Sequence, residues 1–218
     1  MSGAGRSKSM STENLADKPS PSAHAECAEG KIAIKKRALR NRMKALRAEL
    51  PDRAERDKRI FDNLFSFPAF ARAESVFIYC SLAEEADTRG IIRALLEQGK
   101  RVYLPRTDGK AMSAVRYAGG ALREGRFGVS EPIGEETADK PDVCILPLLA
   151  ADGQFHRLGY GGGYYDRYFS RGKDEVLKIG ICYDFQIADE VPSEEHDVLL
   201  DALVTDARIL ARDLSEVL

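Results

Sequence analysis

The 218-residue chain has no excess of either charge: 33 lysines and arginines stand against 35 aspartates and glutamates, a formal net charge of −2. Such a balance gives the whole molecule no general attraction for nucleic acid or an anionic membrane, so an anion site must be local. No apolar stretch approaches the ~20 residues that a membrane-spanning helix needs, and the first residues lack the apolar core of a signal peptide. The cytoplasm is the expected compartment. Cys27, Cys80, Cys144 and Cys182 show no C-x-x-C spacing, and the last three sit in apolar runs. They read as reduced core thiols. His24, near Cys27, has no further ligands around it that would complete a metal site. Also missing are a G-x-x-x-x-G-K-[ST] phosphate loop and the third glycine that would complete G-x-G-x-x-G after Gly159-x-Gly161, so neither standard nucleotide fingerprint applies.

At 44% hydrophobic and 31% charged, the chain has the composition of an ordinary globular protein and the length to bury a sizeable core. Met1–Gly30 is rich in Ser, Ala, Gly, Pro and charge and reads as a disordered tail, leaving residues 31–218 as one domain. From Lys31 to Leu50 the periodicity predicts a helix with Leu39, Met43, Leu46 and Leu50 on one face, flanked by a basic stripe of Lys36, Arg40, Lys44 and Arg47. Pro51 breaks it, and Asp52 with Glu55 resembles a capping box for a second helix to about Phe65, with Ile60, Phe61, Leu64 and Phe65 inward. A βαβ unit follows: strand 75–81, helix 88–98 closed by Gly99, strand 101–105. A short strand is expected at 115–117, while 119–140 lacks periodicity and reads as a long irregular loop. Further apolar strands are expected at 142–149, 177–183 and 202–205. The alternation predicts an α/β fold, three layers α/β/α around a mostly parallel or mixed sheet.

Arg157-Leu158-Gly159-Tyr160-Gly161-Gly162-Gly163-Tyr164-Tyr165-Asp166 follows an expected strand and opens an expected helix. Its four glycines allow tight turning and close approach of backbone to a ligand. Backbone N–H groups at such a loop cradle oxyanions, and phosphate is the expected guest. Arg157 can add a charge-assisted contact, and Asp166 can hold hydrated magnesium.

The decamer resembles the R-L-G-x-G-x-G-Y-Y-D signature of the 5-formyltetrahydrofolate cyclo-ligase family, the methenyltetrahydrofolate synthetases. The resemblance continues in Lys36-Arg37-x-Leu39-Arg40, Ser81-x-x-x-Glu85-x-Asp87-Thr88, Leu104-Pro105-Arg106, Glu131-Pro132 and the stretch from Val191-Pro192 to His196-Asp197, covering about Lys31 to Thr205. It implies an enzyme that couples ATP hydrolysis to ring closure of 5-formyltetrahydrofolate, giving 5,10-methenyltetrahydrofolate, ADP and phosphate through a phosphorylated formyl group. The implied partners are two small molecules, ATP and the folate, with Mg2+ as cofactor and neither nucleic acid nor membrane; a monomer is expected. For ATP, the resemblance implies Lys36, Arg37, Ala38, Leu39 and Arg40 together with Arg157, Leu158, Gly159, Tyr160, Gly161, Gly162, Gly163, Tyr164 and Tyr165. For the folate it implies Glu85, Tyr160, Gly161, Gly162, Gly163 and Tyr164, and for the metal Asp166 and Asp197. His196 is left to hydrogen bonding, since magnesium prefers oxygen. One departure stands out: some family members carry Lys where this chain has Gly162.

Two other readings are open to the same residues. A non-catalytic sensor of a phosphorylated metabolite would use the loop without turnover, although the pair Asp166 and Asp197 argues against it. The basic helix as a nucleic-acid arm lacks interleaved aromatics and sits in a near-neutral chain.

Overall fold

The computed structural model of the protein describes residues 21–138, 140–170, 172–173 and 175–212, with backbone alone at 21–29 and Phe127. Helix α1 runs Pro21–Ala48, so it starts ten residues ahead of the boundary drawn at Lys31. Ser22, Ala23, Ala25 and Ala28 extend a helix once it exists at little cost, because alanine is the strongest helix former. The expected tail over residues 1–20 and the side chain of Cys27 lie outside the described residues. Met43 of α1 is buried and Leu50 packs inward, but Leu46 is 42% exposed, against the expectation for that face. The helix turns Met43 to the core and its basic stripe toward a cleft.

Helix α2 (Arg53–Ser66) begins where expected, yet without the capping box: Asp52 takes a left-handed backbone, φ 51°, and its side chain makes no cap. Its carbonyl accepts the amides of Glu55 and Arg56, the third and fourth residues of the helix. Ile60 and Leu64 are buried, with Phe61 and Phe65 packed beside them. A one-turn helix α3 (Pro68–Arg72) follows, Pro68 standing at its start where a missing N–H costs nothing.

The βαβ unit forms as strand β1 (Ser75–Ile78), helix α4 (Arg89–Glu97) and strand β2 (Arg101–Asp108), with β1 and β2 parallel. Gly99, at φ 73°, ends α4 in the left-handed region that glycine adopts without strain. Strand β3 (Ala111–Tyr117) folds back on β2. The stretch expected to be irregular contains the hairpin β4 (Leu122–Glu124) and β5 (Ser130–Pro132), then β6 (Thr137–Ala138) against β3. The rest comprises β7 (Val143–Leu146), β8 (Ala150–Ala151), β9 (Arg157–Leu158), α5 (Tyr164–Phe169), β10 (Leu177–Ile181), β11 (Ala202–Val204) and β12 (Ile209–Ala211).

Eight strands make one mixed sheet in the order β12-β11-β10-β7-β1-β2-β3-β6. Its centre, β11 to β2, is parallel, and β12, β3 and β6 are antiparallel edges. Alternate strand residues face opposite sides, which divides the core in two. Val76, Ile78, Leu104, Ile145 and Ile179 pack with Ile60, Leu64, Phe70, Ile91 and Leu95 from α2, α3 and α4. Phe77, Tyr103, Cys144, Leu146 and Leu203 pack with Tyr168 and Phe169 of α5 on the other face. Each such side chain contributes about 1.5–3 kcal/mol on burial. A third cluster joins Met43 to Leu149, Ala150, Leu158 and Val191. It fixes α1 beside the loops that leave β7 and flank β9. Among the described residues, no helix is long and apolar enough to cross a membrane.

From β1 the chain moves to β2 on one side and later returns through β7 on the other. The sheet therefore reverses direction between β1 and β7. In open α/β sheets the crevice at the carboxyl ends of strands flanking such a reversal is the usual ligand site.

Candidate active site

A cleft of about 800 Å3 opens at that point, lined by Tyr79, Cys80 and Glu85 after β1, Pro147 after β7, Pro105 and Thr107 of β2, and the entire stretch Arg157–Arg167. Lys36, Arg40 and Lys44 of α1 form one wall and Glu194, His196 and Asp197 another. The glycine loop thus lies between the basic helix and the first βα turn.

The loop conformation depends on its glycines. Gly161 and Gly163 hold φ of 98° and 64°, and a Cβ at Gly163 would stand 2.6 Å from Nη1 of Arg167. At Gly162 a Cβ would meet the Tyr164 ring at 2.9 Å. A lysine at this position therefore requires Tyr164 to move, which gives the glycine a local cause. Helix α5 opens at Gly163 as expected, but it spans only six residues. A helix this short adds little dipole, so attraction for an anion must come from side chains and loop amides.

Of the expected α1 residues, Lys36 and Arg40 line the cleft one turn apart, while Arg37 and Ala38 are exposed outside it and Leu39 packs on the Met43 cluster. Lys36 is 8% exposed and donates from Nζ to Glu194 Oε2 and Asp197 Oδ2, both at 2.6 Å. Burial disfavours its ammonium, but these hydrogen bonds and charges outweigh that and raise its pKa. Asp197 also accepts the Glu194 amide at 2.8 Å. Burial works against its carboxylate, and Lys36 with the amide prevails, lowering its pKa. Arg40 donates from Nε to the Gly159 carbonyl at 2.9 Å.

Arg157, 8% exposed, donates to Asp166 Oδ1 at 2.6 Å, and that same oxygen accepts the Val198 amide at 3.2 Å. The Arg157 Nε is buried without a partner. Asp166 and Asp197 thus border one cleft from two elements, each through a partner that engages one carboxylate oxygen. Glu194, His196 and Asp197 bring their ligand atoms within 4.8 Å of one another, with no part for Asp166 in that group. Glu194 was not singled out in the sequence. The spacing Glu194-x-x-Asp197 offered the only signal, and it is too common to read alone. The donor set suits a hard divalent cation: the carboxylates of Asp166, Asp197 and Glu194 all line the cleft.

Between the neighbouring acids, geometry favours Glu85, which is buried and lines the cleft, whereas Glu84 is exposed. Glu85 Oε2 accepts the Leu82 amide at 2.7 Å, which fixes the turn after β1. Asp87 caps Arg89 through its side chain at 3.1 Å, while Thr88 is buried and donates to the Tyr79 carbonyl. The Tyr160 phenol lies beside the Glu85 carboxylate. Tyr160 is 39% exposed, and Lys44 and Arg47 lie 5.9 and 5.6 Å from its ring centroid. Desolvation and the Glu85 charge push its phenol up, so it stays a hydrogen-bond donor. Arg47, at 3% exposure, keeps an unpartnered Nε behind it. Tyr164 reaches the opposite wall, donating to the Gly109 carbonyl at 3.1 Å and accepting from Arg126 at 3.2 Å.

Three of the cysteines behave as expected. Cys144 and Cys182 are buried free thiols whose pKa burial drives upward, and Cys80, half-buried at the cleft, is raised to about 11 by the same cause.

A doubly wound sheet with a charged crevice at its switch point, walled by cations, carboxylates and a glycine loop, defines an α/β enzyme acting on small anionic molecules. Residues 32–206 match the profile of the 5-formyltetrahydrofolate cyclo-ligase family. The 5-formyltetrahydrofolate cyclo-ligase of Escherichia coli K12 is 31% identical over 180 residues, covering 78% of this chain and 98% of that one. A probable 5-formyltetrahydrofolate cyclo-ligase of Schizosaccharomyces pombe is 29% identical over 82% of this chain and 98% of its own. The solved structure of Aquifex aeolicus 5,10-methenyltetrahydrofolate synthetase superposes with a TM-score of 0.73 at 31% identity, over 82% of this chain and 93% of that one. The chain belongs to the 5-formyltetrahydrofolate cyclo-ligase family.

Proposed function

We propose that the protein catalyses the ATP- and magnesium-dependent cyclisation of 5-formyltetrahydrofolate to 5,10-methenyltetrahydrofolate, releasing ADP and phosphate. The observation that carries this reading is the position of the glycine loop, with the cations Lys36 and Arg40 on one side and the buried acid Glu85 on the other, in one cleft. Two ligands of opposite character, a polyphosphate and a flat ring rich in N–H donors, fit the two sides.

The chemistry asks for alignment of three groups. The formyl oxygen attacks the γ-phosphorus as the bond to the β-bridging oxygen breaks and its electron pair leaves with ADP. The formyl carbon, now bearing a phosphate leaving group, is attacked by the second folate nitrogen. That nitrogen loses its proton, phosphate departs, and the five-membered ring closes. Nearly all the catalysis required is positioning and charge stabilisation.

Glu85 receives the ring N–H donors, and the Leu82 amide holds its carboxylate in place. Tyr160 and Tyr164 present ring faces along the folate. The loop amides of Gly161 to Gly163 approach the phosphoryl oxygens because no Cβ intervenes. Arg40, anchored on the Gly159 carbonyl, neutralises phosphate charge. Arg157 orients Asp166. When bound, Mg2+ supplies further charge neutralisation at the polyphosphate, and Asp166 and Asp197, with Glu194 beside them, are the residues to hold it. Lys36, now held by Glu194 and Asp197, would be free to meet a phosphate once those carboxylates held the cation.

Mixing the protein with 5-formyltetrahydrofolate and Mg·ATP and following the near-ultraviolet absorbance of the methenyl product tests the proposal. Absence of product from folded protein that also fails to bind ATP would overturn it.

A further inference from the structure

Several cations line the cleft, and two of the most buried are balanced by acids. Lys36 is paired to Glu194 and Asp197, and Arg157 to Asp166. Arg167 is different. Its Nε donates to the Lys110 carbonyl at 2.9 Å and its Nη2 to the Gly162 carbonyl at 2.7 Å, with Cζ 5.1 Å from the Tyr164 ring centroid. Among the described residues no carboxylate pairs with it. Neutral carbonyls and a ring face hold the guanidinium in place without cancelling its charge, and it lines the cleft.

Arg40 mirrors this arrangement at the other end of the loop. It is tethered to the Gly159 carbonyl, has no acid partner among the described residues, and would stand 3.6 Å from a Cβ at Gly161. The loop is therefore flanked by two unneutralised guanidiniums, each fastened by a loop carbonyl. The glycines make room for both: a Cβ at Gly163 would collide with Arg167 Nη1 at 2.6 Å, and one at Gly162 would displace the Tyr164 ring on which Arg167 rests. Because α5 is too short to attract an anion by its dipole, side chains must supply the positive potential at this end of the loop, and Arg167 lies closest to its glycines.

We propose that Arg167 is a phosphate-binding residue of the reaction, which with Arg40 forms a clamp across the glycine loop for the phosphoryl group in transfer. The inference rests on the ATP-dependent reading above. Its preference for the terminal phosphate follows from Tyr164, which the proposed function assigns to the folate: the transferring group is the only part of the nucleotide that must sit between nucleotide and folate. A guanidinium with carbonyl anchors is pre-organised, so its N–H groups meet the spreading equatorial charge without reorganisation.

The test is calorimetric binding of ADP and of a non-hydrolysable ATP analogue, each with Mg2+, to wild type, Arg167→Gln and Arg167→Lys. The expected result is ADP affinity within about twofold of wild type, with analogue affinity falling about tenfold or more in Arg167→Gln and less in Arg167→Lys; kcat falls about 100-fold while KM for the folate holds. Equal losses for ADP and analogue, or none for either, would assign Arg167 to holding the loop and overturn the inference. If Arg167→Gln does not fold, the ADP-to-analogue ratio in Arg167→Lys decides the matter by the same criterion. Wild type that binds neither nucleotide would overturn the ATP-dependent reading itself, whereas wild-type binding with an unchanged ratio in the variants removes only the clamp.

Discussion

Lys36→Met isolates the ion cluster at the edge of the cleft. In wild type one ammonium is shared by two carboxylate oxygens at 2.6 Å each, with side-chain exposures of 11% for Lys36, 31% for Glu194 and 19% for Asp197. Breaking a fully buried pair costs about 3–5 kcal/mol and a solvent-exposed one under about 1. This partly screened cluster lies between those limits, and about 2 kcal/mol is the expected loss in denaturant unfolding at pH 7. Asp197 sits below its ordinary pKa of 3.8, so its contribution is present above that value and disappears as pH falls through the lowered folded pKa. Lys36 sits above its ordinary 10.5, so its contribution is complete below that value and disappears as pH rises through the raised folded pKa. The difference between wild type and variant should therefore form a plateau between about pH 4 and pH 10 and shrink at both ends. A loss under about 0.5 kcal/mol, or one independent of pH, would refute the reasoning. Magnesium should raise the unfolding midpoint of Lys36→Met more than that of wild type, because the cation then meets two uncompensated carboxylates.

Glu85→Gln keeps the size of the side chain and an acceptor for the Leu82 amide, so it should fold normally while raising KM for the formyl folate about tenfold or more, read from steady-state kinetics. Gly162→Lys should lower stability by about 1–3 kcal/mol in thermal or denaturant unfolding, since its Cβ must displace the Tyr164 ring. Gly180→Ala should cost a similar amount, because a Cβ there would meet Leu200 at 2.6 Å and Leu148 at 2.7 Å beneath the central sheet. Of the described thiols only Cys80 should alkylate in the folded state. The reaction should accelerate up to a pH of about 11 and slow when the cleft is filled, as read by mass spectrometry.

The parallel centre of the sheet was legible because β7 and β11 are short, wholly apolar runs and β1 is apolar after Ser75, and α4 has a clear amphipathic period closed by Gly99. The hairpin β4–β5 was not. Leu122, Arg123 and Glu124 are all exposed, so no alternation marks them as a strand. What holds the hairpin is Glu131, buried and accepting from the amide and hydroxyl of Thr107, a contact between residues far apart in sequence. The edge strand β12 is half-buried throughout and equally unmarked. Asp52 had the right residue type for a cap, but its backbone is left-handed, at φ 51°, and its side chain makes no cap.

At the site, the sequence pointed to the loop, to Lys36 and Arg40, and to Glu85, and the fold gathers all of them in one cleft. It was silent on charge balance. That Lys36 belongs to Glu194 and Asp197, that Arg157 belongs to Asp166, and that Arg167 belongs to no acid among the described residues depends on distances in the folded chain. No local pattern encodes them.

The central claim is that ATP drives ring closure by phosphorylating the formyl oxygen. The most direct measurement starts from 5-formyltetrahydrofolate carrying heavy oxygen in its formyl group, with Mg·ATP and the wild-type protein, and weighs the released phosphate by mass spectrometry. The account predicts methenyl product, an equal amount of ADP, and phosphate that has gained the heavy oxygen. Methenyl product formed with unlabelled phosphate, or formed equally well without ATP, would contradict it.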